Sequence, residues 1–422
     1  MDAISSALPG AAPAGQGRLM SLDVFRGATI ASMMLVNNPG NWSAVHAPLL
    51  HADWHGWTFT DTVFPFFLWI VGVAIPLSVT RRIEQGQSRR QLLGHALRRT
   101  VILFGLGLFL AGFGWLIDGS LATKGFQGWL HDVATNLRIP GVLQRIAICY
   151  LVTMVIFLTV RIRGQIAWII GLLLGYWALM MFVPFPVTVN GETHCVSGLL
   201  EKGKNLSAYV DNAVFNGPVI GTHVWRSTKT WDPEGIVSTL PAIATCLFGV
   251  LAGHLLRLPR SPAEKTAWMM VGGALLMWLG LLWDLALPIN KPIWTSSYAV
   301  FMAGLAMVCL GVYYWLIDVQ GWRKWCRPLV VFGMNAIAVY VVAGLLGRIS
   351  LEVKIGTGSQ AVALKTWLYR GLCGPFASPD TAPFLGCLAS PKNASLLWAL
   401  MYVLLLYLIA YGMYRRKWFV KL

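Results

Sequence analysis

The chain has 422 residues, of which 56% are hydrophobic and only 12% are charged, and its mean hydropathy is +0.63. Soluble globular domains carry about 25% charged residues, so this composition excludes an ordinary water-soluble fold. The formal net charge of +16 is typical of nucleic-acid-binding proteins, but here the basic residues lie between apolar runs and do not form one basic and aromatic surface. We therefore expect a membrane protein with no nucleic-acid partner.

Residues 1–20 are small, polar and rich in Pro and Gly, and no basic region leads into an apolar core. We expect a disordered cytoplasmic tail here and not a cleaved signal peptide. About ten mainly apolar runs follow, each long enough to cross ~30 Å of hydrocarbon as a helix. They predict an all-α polytopic membrane protein of about ten transmembrane helices, with a single domain over residues 21–422. The runs fall near 22–38, 62–80, 100–117, 140–160, 165–185, 236–256, 266–287, 297–318, 328–347 and 394–414.

Alternate connections between these runs are rich in Lys and Arg. By the positive-inside rule these connections face the cytoplasm, and an even number of helices then places both chain ends there. The long segments near 38–61, 186–235 and 348–393 lie on the outside in this topology, and loops of such length tend to carry function. The basic connections hold Arg81, Arg82, Arg89, Arg90, Arg98, Arg99, Arg161, Arg163, Arg257, Arg260, Lys265, Arg323, Lys324 and Arg327.

Three of the seven cysteines, Cys195, Cys373 and Cys387, fall in the outside segments. Either Cys373 and Cys387 form a bridge within one segment or both remain free thiols. No Cys or His spacing resembles a zinc site, so we expect no metal.

Ionisable and strongly polar side chains inside apolar helices are costly, which makes them candidates for function. Asp23 and Arg26 lie on one face at the start of the first run and form either a structural ion pair or a site for an anionic cytoplasmic ligand. In LRIPGVLQR, Gln144 and Arg145 open the fourth run, where a guanidinium needs an anion, a carbonyl or a ligand. Asn335 in GMNAIAVY is a further buried polar residue, in the ninth run.

The segment between the first two runs carries a cluster of polar and aromatic residues. Asn37 ends the first run in VNNPG, and HADWHGWTFTDTVFPFF then supplies His51, Trp54, His55 and Asp61. An imidazole titrates near neutral pH and can serve as base or nucleophile. Considered alone, however, a histidine in a loop is more often a surface group.

Two other outside motifs lie at helix starts. WDPEG places Asp232 and Glu234 before the sixth run, where carboxylates either cap the helix or bind substrate. PINKPIWTSSY places Trp294, Ser297 and Tyr298 before the eighth run, where polar residues either bind neighbouring helices or face a ligand.

The order SLDVFRG, VNN, HADWHGWTFTDTVFPFF, LRIPGVLQR, DPEG, NKPIWTSSY, GMNAIAVY and YRRKWFVKL resembles the heparan-alpha-glucosaminide N-acetyltransferase family and its bacterial relatives in the transmembrane acyltransferase superfamily. The resemblance implies a helical membrane domain that assembles as a homodimer. It also implies transfer of the acetyl group of cytoplasmic acetyl-CoA to the amino group of a terminal glucosamine on the far side of the membrane. For a bacterial member, this means a multi-pass protein of the inner membrane with a periplasmic acceptor.

The same resemblance implies roles for individual residues. The catalytic histidine of the family maps onto His51, and the asparagine that ends its first conserved helix maps onto Asn37. The predicted acetyl-CoA contacts on the cytoplasmic face are Asp23, Arg26, Arg145, Tyr414 and Lys421, with Gln144, Ser297, Tyr298 and Asn335 as further candidates. The predicted acceptor contacts are Trp54, His55, Asp61, Asp232, Glu234 and Trp294.

Two mechanisms fit this assignment. Either His51 attacks the thioester and holds the acetyl group as acetyl-imidazole, or it acts as general base on the amine while both substrates are bound. Asn37 would donate a hydrogen bond to the oxyanion or fix the histidine tautomer. We expect His51 to dip from the outer loop and meet the thioester partway through the membrane. The competing functions are an amino-sugar or sugar transporter and an O-acyltransferase of envelope polysaccharide.

Overall fold

The computed structural model describes residues 19–189, 192–356, 358–381, 386 and 388–420. Long α-helices dominate this part of the chain, which confirms the predicted all-α class. Most of the predicted tail, together with Lys421 and Cys387, lies outside the described residues. The helices are α1 (Met20–Asn37), α2 (Phe59–Glu84), α3 (Arg89–Gly112), α4 (Gly114–Ile117), α5 (Ser120–Asn136), α6 (Val142–Thr159), α7 (Ile162–Phe182), α8 (Leu206–Phe215), α9 (Thr239–Arg257), α10 (Pro262–Asp284), α11 (Ser296–Tyr314), α12 (Arg327–Met334), α13 (Ala336–Glu352), α14 (Leu364–Leu372) and α15 (Pro391–Arg415).

Short β-ribbons lie in two of the three long segments predicted to be outside. Each ribbon pairs two antiparallel strands, and the longest has Phe185 opposite Val196 in its register. The strand pairs are β1 (Phe185–Val189) with β2 (Glu192–Val196), β3 (Leu200–Glu201) with β4 (Lys204–Asn205), β5 (Asn216–Gly217) with β6 (Gly221–Thr222), and β7 (Lys354–Ile355) with β8 (Val362–Ala363).

Among the described residues, eight helices are long and apolar enough to cross a membrane, and a bent helix pair makes nine. Each predicted apolar run coincides with a helix or, for 328–347, with that pair. The run near 22–38 coincides with α1, which is not among the eight apolar helices. The polytopic architecture is therefore as predicted.

The run near 328–347 was predicted as one transmembrane helix. The structure breaks it at Asn335, and the segments Lys324–Met334 and Ala336–Glu352 meet at 70°. Asn335 has a non-helical backbone (φ −124°, ψ 31°), and its side-chain oxygen accepts a hydrogen bond from the backbone N–H of Val420 at 3.2 Å. This hydrogen bond joins the helix break to the C-terminal segment.

The long helices alternate in direction and define two ends of the bundle. Short connections join α2 to α3, α6 to α7 and α9 to α10 at one end, which we call the basic end because of its Arg and Lys residues. The opposite end, which we call the loop end, holds the three long segments and the first residues of α2, α6, α9 and α11. The positive N-terminal dipoles of these four helices, and that of α15, therefore point toward the loop end.

Glycines bring α2 and α9 into direct backbone contact. A Cβ atom at Gly72 would collide with the carbonyl oxygen of Cys246, and one at Gly249 would collide with that of Trp69. Small residues of this kind let membrane helices approach closely and lock their relative position. The middle of α2 is thereby fixed against the middle of α9.

Candidate active site at the loop end

His51 and Asp61 form a hydrogen-bonded pair where the 38–58 segment meets α2. The Nδ1 atom of His51 lies 2.7 Å from Oδ1 of Asp61. Asp61 belongs to a capping box with Thr58 at the start of α2, and its second oxygen accepts the backbone N–H groups of Ala52 and Thr58, each at 3.0 Å. The carboxylate is 1% exposed and the imidazole 51% exposed. Asp61 therefore holds one ring nitrogen while the rest of the ring remains accessible.

The Asp61 carboxylate favours one tautomer of His51. With Nδ1 facing a carboxylate, a proton on Nδ1 is favoured, and this tautomer leaves the lone pair on Nε2. A lone pair at an accessible Nε2 can attack a carbonyl or accept a proton, and the buried carboxylate would stabilise the imidazolium that results.

Lys291 completes this cluster and was missed by the sequence analysis. Its Nζ atom lies 3.0 Å from Nδ1 of His51, 3.4 Å from Nε2 and 3.4 Å from Oδ1 of Asp61. Burial lowers the pKa of the Lys291 ammonium from its usual value, although the charges of Asp61 and Glu234 oppose the shift. The only sequence signal was an isolated lysine in the NKP of a motif already singled out for its aromatic and hydroxyl residues.

A strained turn holds Lys291 in place. The backbone N–H of Trp294 donates to the carbonyl of Lys291 at 2.9 Å, and Trp294 adopts a left-handed φ of 48°. Such a conformation costs on the order of 1 kcal/mol for a residue other than glycine. Asn290 ties the turn to the histidine segment, because its amide donates to the carbonyl of Trp54 at 2.9 Å.

Several predicted acceptor contacts have structural partners in this region. The indole of Trp54 donates to the carbonyl of Leu200 at 2.8 Å, and His55 lies 3.5 Å from the Asn290 amide. Trp294 is buried and donates to the hydroxyl of Thr245 at 3.1 Å. These contacts bind the loop-end segments to one another beside His51.

Asp232 and Glu234 bind Arg138, another residue that the sequence analysis missed. The guanidinium donates to both oxygens of Asp232 at 2.8 and 2.6 Å and also contacts Glu234. Asp232 is buried, and one of its oxygens also accepts the N–H of Glu234 at 2.9 Å. The structure therefore places both carboxylates in one ion-pair network with Arg138.

Arg145 is buried at the loop end with part of its guanidinium unpaired. Its Nη2 atom donates to the carbonyl of Gly235 at 3.1 Å and to the hydroxyl of Ser238, and the guanidinium lies 5.2 Å from the ring centroid of Trp294. Its Nε and Nη1 atoms have no acceptor in the described part of the chain. A buried cation with two unused donors is costly unless a ligand supplies a carbonyl or an anion.

A cavity of about 470 Å³ opens at the same end and contains Asn37 and Gln144. Gln144 packs against Gly107 and Gly141, where a side chain would displace it. Asn37 faces this cavity, whereas His51 is not among its lining residues, and no contact joins Asn37 to His51 in the described structure. The other polar lining residues include Asn38, Asp118, Asn136, Arg138, Arg226, Tyr340, Arg348 and Glu352.

The predicted acetyl-CoA contacts divide between the two ends. Asp23 and Arg26 form an ion pair at 3.3 Å at the basic end. Asn335 and Tyr414 also lie there, with the Tyr414 ring 6.1 Å from that of Phe419. Gln144, Arg145, Ser297 and Tyr298 lie instead at the loop end, where the Tyr298 hydroxyl donates to the carbonyl of Asp61 and Ser297 bonds Thr295 at 3.1 Å.

The structure corrects the expectation that Arg145 lies on the same face as Asp23, Arg26 and Tyr414. Since α6 runs from the loop end toward the basic end, a residue in its first turn lies beside α9 and α11. The position of His51 also differs from the one expected. Its ring lies level with the first turn of α2 and not partway through the bundle.

Comparison with known proteins agrees with the motifs. A family described as a domain of unknown function (DUF5009) matches residues 18–120. The human protein "Heparan-alpha-glucosaminide N-acetyltransferase" is 29% identical over 366 residues, which cover 77% of this chain and 52% of that protein. The mouse protein of the same name is 28% identical over 367 residues, covering 77% and 53%. The chain spans about half the length of these curated relatives. The resemblance predicted from the motifs is therefore confirmed, and the chain is a multi-pass membrane protein similar to heparan-alpha-glucosaminide N-acetyltransferases.

Proposed function

We propose that the chain is a membrane N-acetyltransferase that uses acetyl-CoA and acetylates the amino group of glucosamine or of a saccharide ending in glucosamine. The observation that carries the proposal is the His51–Asp61 pair, in which a buried carboxylate orients an accessible imidazole beside a partly buried lysine. The relationship to N-acetyltransferases supports the same chemistry. In this proposal acetyl-CoA enters from the basic end and the amino sugar from the loop end.

The transfer would take place at the loop end, level with the first turn of α2. In one route the Nε2 atom of His51 attacks the thioester carbonyl, the carbon–sulfur bond breaks, and CoA leaves as a thiolate. The amine then attacks the acetyl-imidazole, forms the amide and releases the imidazole, which takes up the amine proton. In the other route the amine attacks the thioester directly, and Nε2 accepts its proton.

Other groups at the loop end would support either route. The ammonium of Lys291 lies within 3.4 Å of the ring and would stabilise the oxyanion of the tetrahedral intermediate. The unused donors of Arg145 would bind an acceptor group of the coenzyme. Asn37 would act from the neighbouring cavity, on the coenzyme or the sugar.

We also propose an orientation and an assembly. The basic end would face the cytoplasm of a bacterial inner membrane, as the positive-inside rule indicates, and the acceptor would then be periplasmic. Exposed apolar side chains on α10, such as Trp268, Leu275 and Trp278, would face lipid or a second copy in a homodimer. Native mass spectrometry of the purified chain would test the dimer.

An assay of CoA release tests the function. Purified protein is mixed with acetyl-CoA and a panel of amino sugars and oligosaccharides, and free thiol and acetylated product are measured together. We expect CoA release that depends on an amine acceptor and matches amide formation. Equal release from an acceptor with its amine blocked would favour O-acylation, and uptake of amino sugar without CoA release would establish a transporter. Rapid quenching without acceptor traps an acetylated protein only if the acetyl-imidazole route operates.

A further inference from the structure

A second cavity, of about 350 Å³, lies at the basic end between α2, α3 and α6. Four of its lining side chains are basic, namely Arg82, His95, Arg98 and Arg99. The other lining residues are apolar or neutral, and no carboxylate is among them in the described structure. The loop-end chemistry uses none of these groups.

The basic side chains converge because of helical spacing. His95, Arg98 and Arg99 lie on one face of α3, since residues three and four positions apart are neighbours on a helix. Across the cavity, α6 contributes Tyr150, and the Arg99 guanidinium lies 4.6 Å from the centroid of its ring. Arg82 comes from the last turn of α2.

These charges are not neutralised within the described part of the chain. Arg82, Arg98 and Arg99 make no ion pair there, and the nearby Glu84 is bound instead to Arg257 at 2.9 Å. The Nε atom of Arg99 is buried without an acceptor. Like charges around one cavity repel each other, so an anion that accepts hydrogen bonds from several of them would be bound favourably.

The surroundings of the cavity identify the kind of anion. Its lining residue Ile102 is 37% exposed, and its neighbours on α3, Val101 and Leu97, are 62% and 53% exposed. An apolar helix surface next to a basic cavity suits a molecule with a phosphate at one end and an acyl chain at the other. The basic end is also where a membrane-spanning helix of this chain meets the polar headgroups.

We propose that this cavity binds the phosphate headgroup of an anionic phospholipid, with the acyl chain lying along the exposed face of α3. Arg98 and Arg99 would hold the phosphate oxygens, and Arg82 and His95 would close the site from either side. The proposal does not depend on acetyl transfer.

Native mass spectrometry of the full chain in a non-ionic detergent tests the site. We expect phosphatidylglycerol to remain bound under conditions that remove phosphatidylcholine, whose headgroup carries no net charge. The double variant Arg98→Gln/Arg99→Gln should bind phosphatidylglycerol about tenfold or more weakly, since hydrogen bonds to charged groups are lost. Arg90→Gln, on the same helix but outside the cavity, should bind as the unaltered chain does.

A substitute variant and a competition experiment with CoA complete the test. If the double variant does not fold, Arg82→Gln replaces it, because that exposed side chain lines the cavity without packing in the core. Equal phosphatidylglycerol binding by the unaltered chain and the cavity variants would overturn the proposal. Displacement of the bound lipid by CoA would also overturn it, because the cavity would then belong to the coenzyme.

Discussion

The Nδ1 atom of His51 lies 2.7 Å from Oδ1 of Asp61, a carboxylate that also belongs to the first turn of α2. One aspartate therefore both lies in the first turn of a membrane helix and orients an imidazole that can act as a nucleophile or base. The position of the imidazole is thus set by the start of α2 as well as by its own loop.

We expect His51→Ala to abolish acetyl transfer while leaving the unfolding temperature unchanged. The ring is half exposed and packs in no core, so its loss removes chemistry and little stability. Loss of a general base or nucleophile typically costs about 10²–10⁴-fold in rate. His194→Ala, at an exposed histidine of the loop end, is the matched control and should retain full activity. Normal CoA release by His51→Ala would remove His51 from the active site.

Asp61→Asn should lower kcat by about 10²-fold or more with little change in the KM for acetyl-CoA. The amide keeps the shape of the carboxylate, but it cannot stabilise an imidazolium and can present a donor to Nδ1. The free energy of unfolding should fall as well, because Asp61 is buried at the third position of α2 and its charge pairs with Lys291. Steady-state kinetics check the change in kcat, and thermal unfolding checks the change in stability. An unaltered kcat would show that Asp61 serves only to start the helix.

Arg145→Ala should mainly weaken the binding of acetyl-CoA, by about 10–100-fold, because the unused Nε and Nη1 donors would be lost. Arg145→Lys should restore little, since an ammonium cannot reproduce the planar fork of a guanidinium. Calorimetric titration with acetyl-CoA measures the affinity directly, and Arg163→Gln at the basic end serves as control. An unchanged affinity would exclude Arg145 from the coenzyme site.

Asp211 should make stability depend on pH. Burial raises the pKa of this carboxyl from 3.8 to about 6, although the backbone N–H groups of Ile236 and Asp232 oppose the shift. Between pH 3.8 and about 6 the folded chain therefore binds a proton that the unfolded chain has lost. The stabilisation of the folded state by this proton is lost as the pH rises through about 6. The full effect is roughly 3 kcal/mol, an order-of-magnitude figure.

Comparison with Asp211→Asn isolates this contribution. Between pH 4 and 7 the unaltered chain should lose stability relative to the variant, whereas the exposed control Asp380→Asn should follow the unaltered chain. Thermal unfolding at a series of pH values measures the difference. Parallel curves for the unaltered chain and Asp211→Asn would contradict the prediction.

Cys195 offers a test of the orientation. It is a free, exposed thiol on β2, at the loop end. In a Cys387→Ser background, a membrane-impermeant maleimide should label it in intact spheroplasts, and Cys195→Ser should remove that labelling. Labelling that requires opened membranes would place the loop end in the cytoplasm and reverse the proposed direction of transfer.

The sequence predicted the architecture well because hydropathy and Lys/Arg distribution are averages over whole segments. The helix break at Asn335 was not predicted, since the surrounding residues are apolar on both sides and the break depends on a contact with Val420 far along the chain. Local composition cannot reveal such a partner.

The candidate site was predicted in part. His51 and Asp61 were singled out within one motif, but Lys291 joins them from 230 or more residues away along the chain, through a turn whose geometry depends on Asn290. Arg138 likewise attracted no attention, because its partners Asp232 and Glu234 come from a distant segment. Arg145 lies at the loop end because α6 starts there. The predicted order of the helices was enough to predict this position.

The glycine contact between α2 and α9 links two parts of the proposed machinery. Asp61 lies in the first turn of α2, and Ser238, the partner of Arg145, immediately precedes α9. With Gly72 against the Cys246 carbonyl and Gly249 against that of Trp69, these helices cannot slide past each other. A bilayer that thickens or thins around the bundle would therefore tilt or shift the two helices together. The distance between the His51 imidazole and the Arg145 guanidinium would then change little with bilayer thickness.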